Sequence, residues 1–341
     1  MIGFIRRRTS RAVFEPPGVL DADALLDKAF RRASKATRGK GRTPAERSKN
    51  LTITKIRTAA DVVTSTLDSY IRGFPSLDRI HIFYRDLIEA TIGLAKLRRS
   101  LAAVNWARRK VQDLLRAYPR RIHAASTREE MGRIRAEAYG RFSSVIQQIA
   151  DALEELQKAG RQLRKFPDIN PELPTIVVAG PPNVGKSQFV RAVSSGKPRV
   201  ATYPFTTKGV LLGHVDVQYM RYQVLDTPGL LDRSMEKRNP MERQAIAALS
   251  HLADVVVFLL DPTETCGYDV AAQERLLAEI QMRFPEVPIL VVENKSDLLK
   301  SVSDRRKISA LSGAGVRRVF SDAVQLTTSR VPGAARPRES G

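Results

Sequence analysis

The most constraining feature is an eight-residue segment, Gly180-Pro181-Pro182-Asn183-Val184-Gly185-Lys186-Ser187, directly after the β-branched run Thr175 to Ala179. Its spacing is G-x-x-x-x-G-K-[ST], which carries meaning only between a strand and a helix. The glycines let main-chain amides turn inward around a phosphate, and the following helix offers its N-terminal amides and positive dipole end. Lys186 is placed to reach the β- and γ-phosphates, and the Ser187 hydroxyl to hold Mg²⁺. The bland alternative, a glycine turn beside a surface lysine, explains neither the strand before nor the helix after.

Two further motifs follow in order. Asp226-Thr227-Pro228-Gly229 closes the apolar run Arg221 to Leu225, 40 residues after Lys186. An aspartate at a strand end can hold Mg²⁺ through water, and the Gly229 amide can meet a γ-phosphate. Asn294-Lys295-Ser296-Asp297 follows Ile289 to Val292, 68 residues beyond Asp226. The Asp297 carboxylate accepts from two donors, matching the N1–H and exocyclic amine of guanine. Adenine lacks that donor pair, so an ATPase reading fits poorly. Asn294 supports the loop, and the aliphatic stem of Lys295 covers the base.

Around these motifs, short apolar runs alternate with helical patterns at Ser187–Ser194, Pro240–His251 and Val270–Arg283. That alternation predicts an α/β domain with a mainly parallel sheet over 175–325. The residues before it read as all-α. Asp78–Arg116 and Arg128–Lys165 lack proline, and Met131, Ile134, Ala138, Phe142, Val145, Ile149, Leu153 and Leu156 form one apolar stripe. Thr127 to Glu130 fits a capping box. A weaker helix is expected over Asp21–Ala36, and Ser34–Asn50 reads as a basic loop. Pro167, Pro171 and Pro174 end the helices. The predicted division is a helical domain over 1–166, a Pro-rich linker over 167–174, the α/β domain, and a disordered tail over 326–341.

Charge separates the two halves. Residues 1–170 hold 35 Lys and Arg against 18 Asp and Glu, a net of +17, while residues 171–341 carry only +4. Such an excess implies a polyanion, most simply RNA phosphates. Candidate contacts are Arg6, Arg7, Arg8, the Arg31–Lys49 loop, Arg98, Arg99, Arg108, Arg109, Lys110, Arg120 and Arg121. Aromatics are few, which favours backbone and shape recognition over base stacking, and the single tryptophan, Trp106, is expected in the core. Cys266 is the only cysteine, so no internal disulfide forms and a reducing, cytoplasmic setting is expected. The longest apolar run, Val255–Leu260, is far short of the roughly 20 residues of a membrane span. The N-terminus does not read as a signal peptide, and the four histidines have no metal-ligand spacing.

The three motifs resemble those of the translation-factor-type P-loop GTPases. Tyr203-Pro204-Phe205-Thr206-Thr207-Lys208-Gly209 is similar to the switch segment of the Obg-related branch. The basic helical half resembles the nucleolar GTP-binding protein family in its short, archaeal-type layout. The resemblance implies a GTP-binding and GTP-hydrolysing switch that binds rRNA and assists large ribosomal subunit assembly. It implies that Gly180 through Gln188 hold the phosphates. It also implies that Ser187, Asp226 and one of Thr206 or Thr207, here Thr207, hold Mg²⁺. Lys186, Thr207, Gly229 and Asn183 are then the catalytic groups, and Ser309-Ala310-Leu311 the last guanine-contacting loop. Leu230 stands where Ras-like enzymes have a water-orienting glutamine, so slow intrinsic hydrolysis is expected. Asn183 is either a K⁺ ligand substituting for an arginine finger or a turn-stabilising side chain. Expected partners are large-subunit rRNA or a pre-ribosome and a protein or ribosomal activator, with no membrane and a monomeric state. The alternative is a regulatory switch whose helical domain binds a protein.

Overall fold

The computed structural model describes residues 14–37, 39–204, 209–232, 238–298 and 303–328. Among them, six helices precede the first strand: α1 (Ala22–Ser34), α2 (Pro44–Gly73), α3 (Ile82–Thr91), α4 (Leu94–Ala124), α5 (Arg128–Gln147) and α6 (Ala150–Leu163). Two compact units result. One comprises Phe14–Arg79 and Ile92–Arg164; the other comprises Ile80–Thr91 and the chain from Lys165 onward.

In the first unit, α2 packs along α1 and α4, and α4 against α5 and α6. The core is made by Leu25, Ile56, Val63, Leu67, Val104, Val111, Phe142, Leu153 and Leu156. The sequence misplaced several boundaries here. The basic loop ends at Thr43, whose hydroxyl and Glu46 form a capping box with Pro44 in the first turn, so its second half is helix. The stretch read as continuous helix from Asp78 breaks at Gly93, where φ is +84°. The stripe from Met131 to Leu156 is carried by two helices, since Ile149 (φ −109°, ψ 14°) leaves helical geometry while staying buried. Thr127 caps α5 through the Glu130 amide as expected, but the Glu130 carboxylate accepts from Ser126.

The other unit is a seven-stranded sheet in the order β2-β3-β4-β1-β5-β6-β7. Its elements are β1 (Thr175–Ala179), α7 (Lys186–Val193), β2 (Arg199–Ala201), β3 (Val210–Val217), β4 (Met220–Asp226), α8 (Pro240–Ser250), β5 (Val255–Leu260), α9 (Val270–Arg283), β6 (Ile289–Glu293), β7 (Arg306–Lys307) and α10 (Val316–Thr328). Strand β3 is antiparallel to β2 and β4, and the remaining pairings are parallel. Both faces of the sheet are covered, so β1 and β5 are buried throughout and read as unbroken apolar runs. Helix α10 continues to Thr328, past the start of the expected tail, whose remainder lies outside the described residues.

Helix α3 belongs to this second unit, which divides the helical region expected over 1–166. Its apolar face explains this: Phe83, Tyr84, Leu87 and Ile88 are buried, and the helix packs on α8. The Tyr84 hydroxyl lies 2.5 Å from the Ile169 carbonyl and 2.9 Å from that of Pro167, fastening the Pro-rich connector. Phe83 meets Tyr203 at 6.4 Å between ring centroids, and the Tyr203 hydroxyl donates to Ala245 of α8 at 2.9 Å.

Candidate functional site

In a parallel sheet, ligands collect where strands end and helices begin. Here β1 runs into the glycine loop, β4 into Asp226-Thr-Pro-Gly, β5 into Asp261 and β6 into Asn294-Lys-Ser-Asp. The motifs, distant in sequence, therefore share one edge.

The glycine loop is held in a conformation only its own residues permit. Gly180 has φ +135°, and a Cβ there would lie 2.5 Å from the Leu259 carbonyl oxygen. Gly185 has φ +105°, and its Cβ would lie 2.3 Å from Asn294 Nδ2. Asn183, at φ +59°, takes the left-handed turn that asparagine adopts at low cost, which accounts for the turn reading of this residue. Lys186 Nζ is curled into the loop and donates to the carbonyls of Gly180 at 2.8 Å and Pro181 at 2.7 Å. Burial lowers its pKa below the ordinary lysine value, against the opposing pull of Asp226 and Asp232.

Ser187 donates its hydroxyl hydrogen to Asp226 Oδ2. Asp226 is fully buried, and burial raises its carboxyl above the usual range even though Ser187 and Lys186 favour the charged form. Its Oδ1 has no hydrogen-bond partner. A hydroxyl, a buried carboxylate with a spare oxygen and a lysine just behind them suit a Mg²⁺–phosphate pair. Among the described residues no cluster of three or more His, Cys, Asp or Glu forms a free-standing metal site.

Gly229 (φ +80°) donates its amide to Asp232 Oδ2 at 2.7 Å and accepts at its carbonyl from Arg238 Nη1 at 2.7 Å. Arg238 is 4% exposed and lies 3.6 Å from Asp232. The sequence reading singled out neither Asp232 nor Arg238. Leu230 is fully buried and shares an apolar pocket with Ile246, Leu276 and Phe284. Thr206 and Thr207 lie outside the described residues.

On the other side, Asn294 joins three loops. Its Nδ2 donates to the Val184 carbonyl at 2.7 Å, its Oδ1 accepts from the Ala310 amide at 2.8 Å, and its own amide donates to Leu260 at 2.8 Å. This brings Ser309-Ala310-Leu311 beside the Asn294 motif. Ser309 and Ala310 are buried and Leu311 is exposed. Asp297 presents an exposed carboxylate. Lys295 Nζ donates to Asp261 Oδ2 and to Thr265 Oγ1, each at 2.7 Å. Asp261 escaped the sequence reading; its only signal was a lone acid at the end of a buried strand.

The basic helical unit differs from expectation in detail. Arg6, Arg7 and Arg8 lie outside the described residues. Arg31 pairs with Asp27, Arg98 with Asp78, and Arg121 with Glu137 through two bonds of 2.6 and 2.7 Å. Arg99, Arg109, Lys110 and Arg120 are exposed and make no ion pair with a described residue. Trp106 is 44% exposed, not in the core. The buried face of α4 runs through Leu97, Val104, Ala107, Val111 and Ile122, and one residue before Ala107 is 100° off that face.

Comparison with known proteins yields two family matches. The NOG1 N-terminal helical domain matches residues 16–170, and Nucleolar GTP-binding protein 1 (NOG1) matches residues 240–297. An uncharacterized protein of Methanocaldococcus jannaschii is 36% identical over 286 residues, 83% of this chain and 80% of the relative. Nucleolar GTP-binding protein 1 of Kluyveromyces lactis is 32% identical over 83% of this chain, which spans only 44% of that relative's length. A crystal structure described as nucleolar GTP-binding protein 1 from Plasmodium falciparum is 33% identical. It aligns with a TM-score of 0.43, covering 48% of this chain and 91% of its own.

Proposed function

Since the chain belongs to the nucleolar GTP-binding protein 1 family, we propose that it is a GTP-binding and GTP-hydrolysing switch that binds rRNA and assists large ribosomal subunit assembly. The observation that carries the nucleotide half of this reading is Asn294, which ties the glycine loop to the Asn294–Asp297 motif and to Ser309–Leu311. In this reading Gly180 to Gln188 take the phosphates, Asp297 takes the guanine edge, Lys295 lies over the base and the Ser309–Leu311 loop closes beside it. Ser187, Asp226 and Thr207 are the groups for Mg²⁺, which when bound offsets the charge on β- and γ-phosphate oxygens. Lys186 and the Gly229 amide, the latter on exchanging Asp232 for the phosphate, act on the γ-phosphate, and Asn183 is a candidate K⁺ ligand.

Leu230 is buried and apolar, so no side chain at that position orients the attacking water. Intrinsic turnover is therefore slow, and an activator raises it by about 10³–10⁵-fold. Fast, potassium-independent turnover by the isolated protein contradicts this. A switch also needs a route outward. Tyr203, just ahead of the Thr206–Thr207 pair, and α8, which follows Gly229, both press on α3, and both ends of α3 continue in sequence into the helical unit.

The helical unit carries the rRNA half of the proposal, working in the cytoplasm on a monomeric chain. The test is crosslinking in native cells, comparing the intact protein with one carrying neutral substitutions across Arg31–Lys49. Reads concentrated on one region of large-subunit rRNA and lost in the variant support the assembly role. Diffuse reads leave a switch whose helical unit binds a protein.

A further inference from the structure

Helix α4 is the most lopsided in charge of the described elements, with nine Lys and Arg against a single acid, Asp113, in 31 residues. Four of those cations, Arg99, Arg109, Lys110 and Arg120, are exposed and have no ion-pair partner among the described residues. Trp106 stands among them. Its helical neighbours one turn back are Ala102 and Ala103, and one turn on are Arg109 and Lys110. Two alanines are too small to cover an indole, which stays 44% exposed, and no ring or guanidinium stacks on it among the described residues. An exposed tryptophan set for a protein partner is surrounded by apolar contacts that exclude water; this one has cations and alanines one turn away on the helix, with Asp113, paired to Arg116, two turns on. The combination instead matches single-stranded nucleic acid, with cations for phosphates and a flat π-face for any base.

We propose that Trp106 is a stacking platform for an unpaired RNA base, flanked on the same face of α4 by phosphate contacts from Arg99, Arg109 and Lys110. This rests on the rRNA reading and deepens it: bulged or looped bases in an otherwise folded RNA are the recognised element.

Trp106 is the only tryptophan in the chain, so its emission reports on this site alone. The full-length protein is titrated with poly(A), with a fully paired RNA duplex and with heparin, and binding is followed independently by anisotropy of labelled RNA. Poly(A) is expected to quench Trp106 by about half, while heparin binds without quenching. Trp106→Ala lowers poly(A) affinity about ten-fold at an unchanged salt slope, and Trp106→Phe recovers part of it. Arg109→Gln with Lys110→Gln reduces the salt slope by about two. Undiminished poly(A) binding by Trp106→Ala, with no quenching in the parent, overturns the platform and leaves the RNA reading intact. Absence of RNA binding in the anisotropy overturns both. An emission shift with extracted ribosomal proteins but with neither RNA assigns the surface to a protein and overturns the proposal.

Discussion

Lys295 Nζ lies 2.7 Å from Asp261 Oδ2, so the lysine proposed to cover the base is held by a carboxylate at the end of the neighbouring strand. Asp261 is fully buried, and burial alone would raise its carboxyl. Hydrogen bonds from Lys295, Thr263 and Cys266 outweigh burial and hold it below the ordinary value. A carboxyl with a lowered native pKa stabilises the fold fully above its unfolded value near pH ~4 and loses that contribution as pH falls through the native value. We expect Asp261→Asn and Lys295→Ala each to weaken GDP binding about ten-fold, and the double variant to add little. Titration with a fluorescent GDP analogue measures this; fully additive losses contradict it.

Asp226 behaves oppositely. Its raised native pKa means the folded chain binds more protons than the unfolded one, so this group's contribution to stability declines as pH climbs from ~4 through the native value. Asp226→Asn removes the buried charge at equal size. The variant is expected to melt no lower than the parent at pH 7 without Mg²⁺, yet to lose the Mg²⁺-dependent part of GTP affinity. Melting curves at pH 5 and pH 7, with GTP titrations with and without Mg²⁺, test both halves. An Asp226→Asn protein that keeps its Mg²⁺ dependence sinks the metal assignment.

Asn294→Ala strands two buried groups, the Val184 carbonyl and the Ala310 amide. Each buried group left unpaired costs about 1–3 kcal/mol. A loss of roughly 2–4 kcal/mol in chemical denaturation is expected, with weaker nucleotide binding. A loss under about 1 kcal/mol contradicts the bridging role.

Phe83→Ala empties a fully buried site between Tyr84 and Tyr203. Large-to-small changes of this kind cost about 3–5 kcal/mol. The milder Phe83→Leu is expected to retain the fold and nucleotide affinity while altering RNA-dependent GTP turnover. Equal turnover in Phe83→Leu and parent contradicts the proposed part of α3 in switching.

Legibility followed locality. Strands β1, β5 and β6 are apolar runs inside a covered sheet, and their boundaries were readable to about one residue. Strand β3 is not legible in the sequence because Gly213 and His214 interrupt it and it pairs antiparallel. Helix α2 was hidden by basic and threonine residues in its first turns, although Ile53, Ile56, Ala60, Val63 and Leu67 carry a helical stripe. The glycine loop and the Asn294–Asp297 motif are each contiguous, so their residues are legible together. Asp261 acts on Lys295 across 34 positions, and only strand order brings the two together. Trp106 is expected in the core because its helix carries an apolar face, whereas its exposure is decided by a single step of helical phase.

Base selection turns on Asp297. Replacing its carboxylate by an amide puts a donor opposite the guanine exocyclic amine, but the same donor suits xanthine, which has a carbonyl there. Affinities of the parent and of Asp297→Asn for GTP, XTP and ATP should be measured side by side. Guanine recognition through Asp297 predicts that the parent selects GTP, and that Asp297→Asn loses GTP affinity by about 10²-fold or more while gaining XTP. Undiminished GTP binding by Asp297→Asn would contradict it.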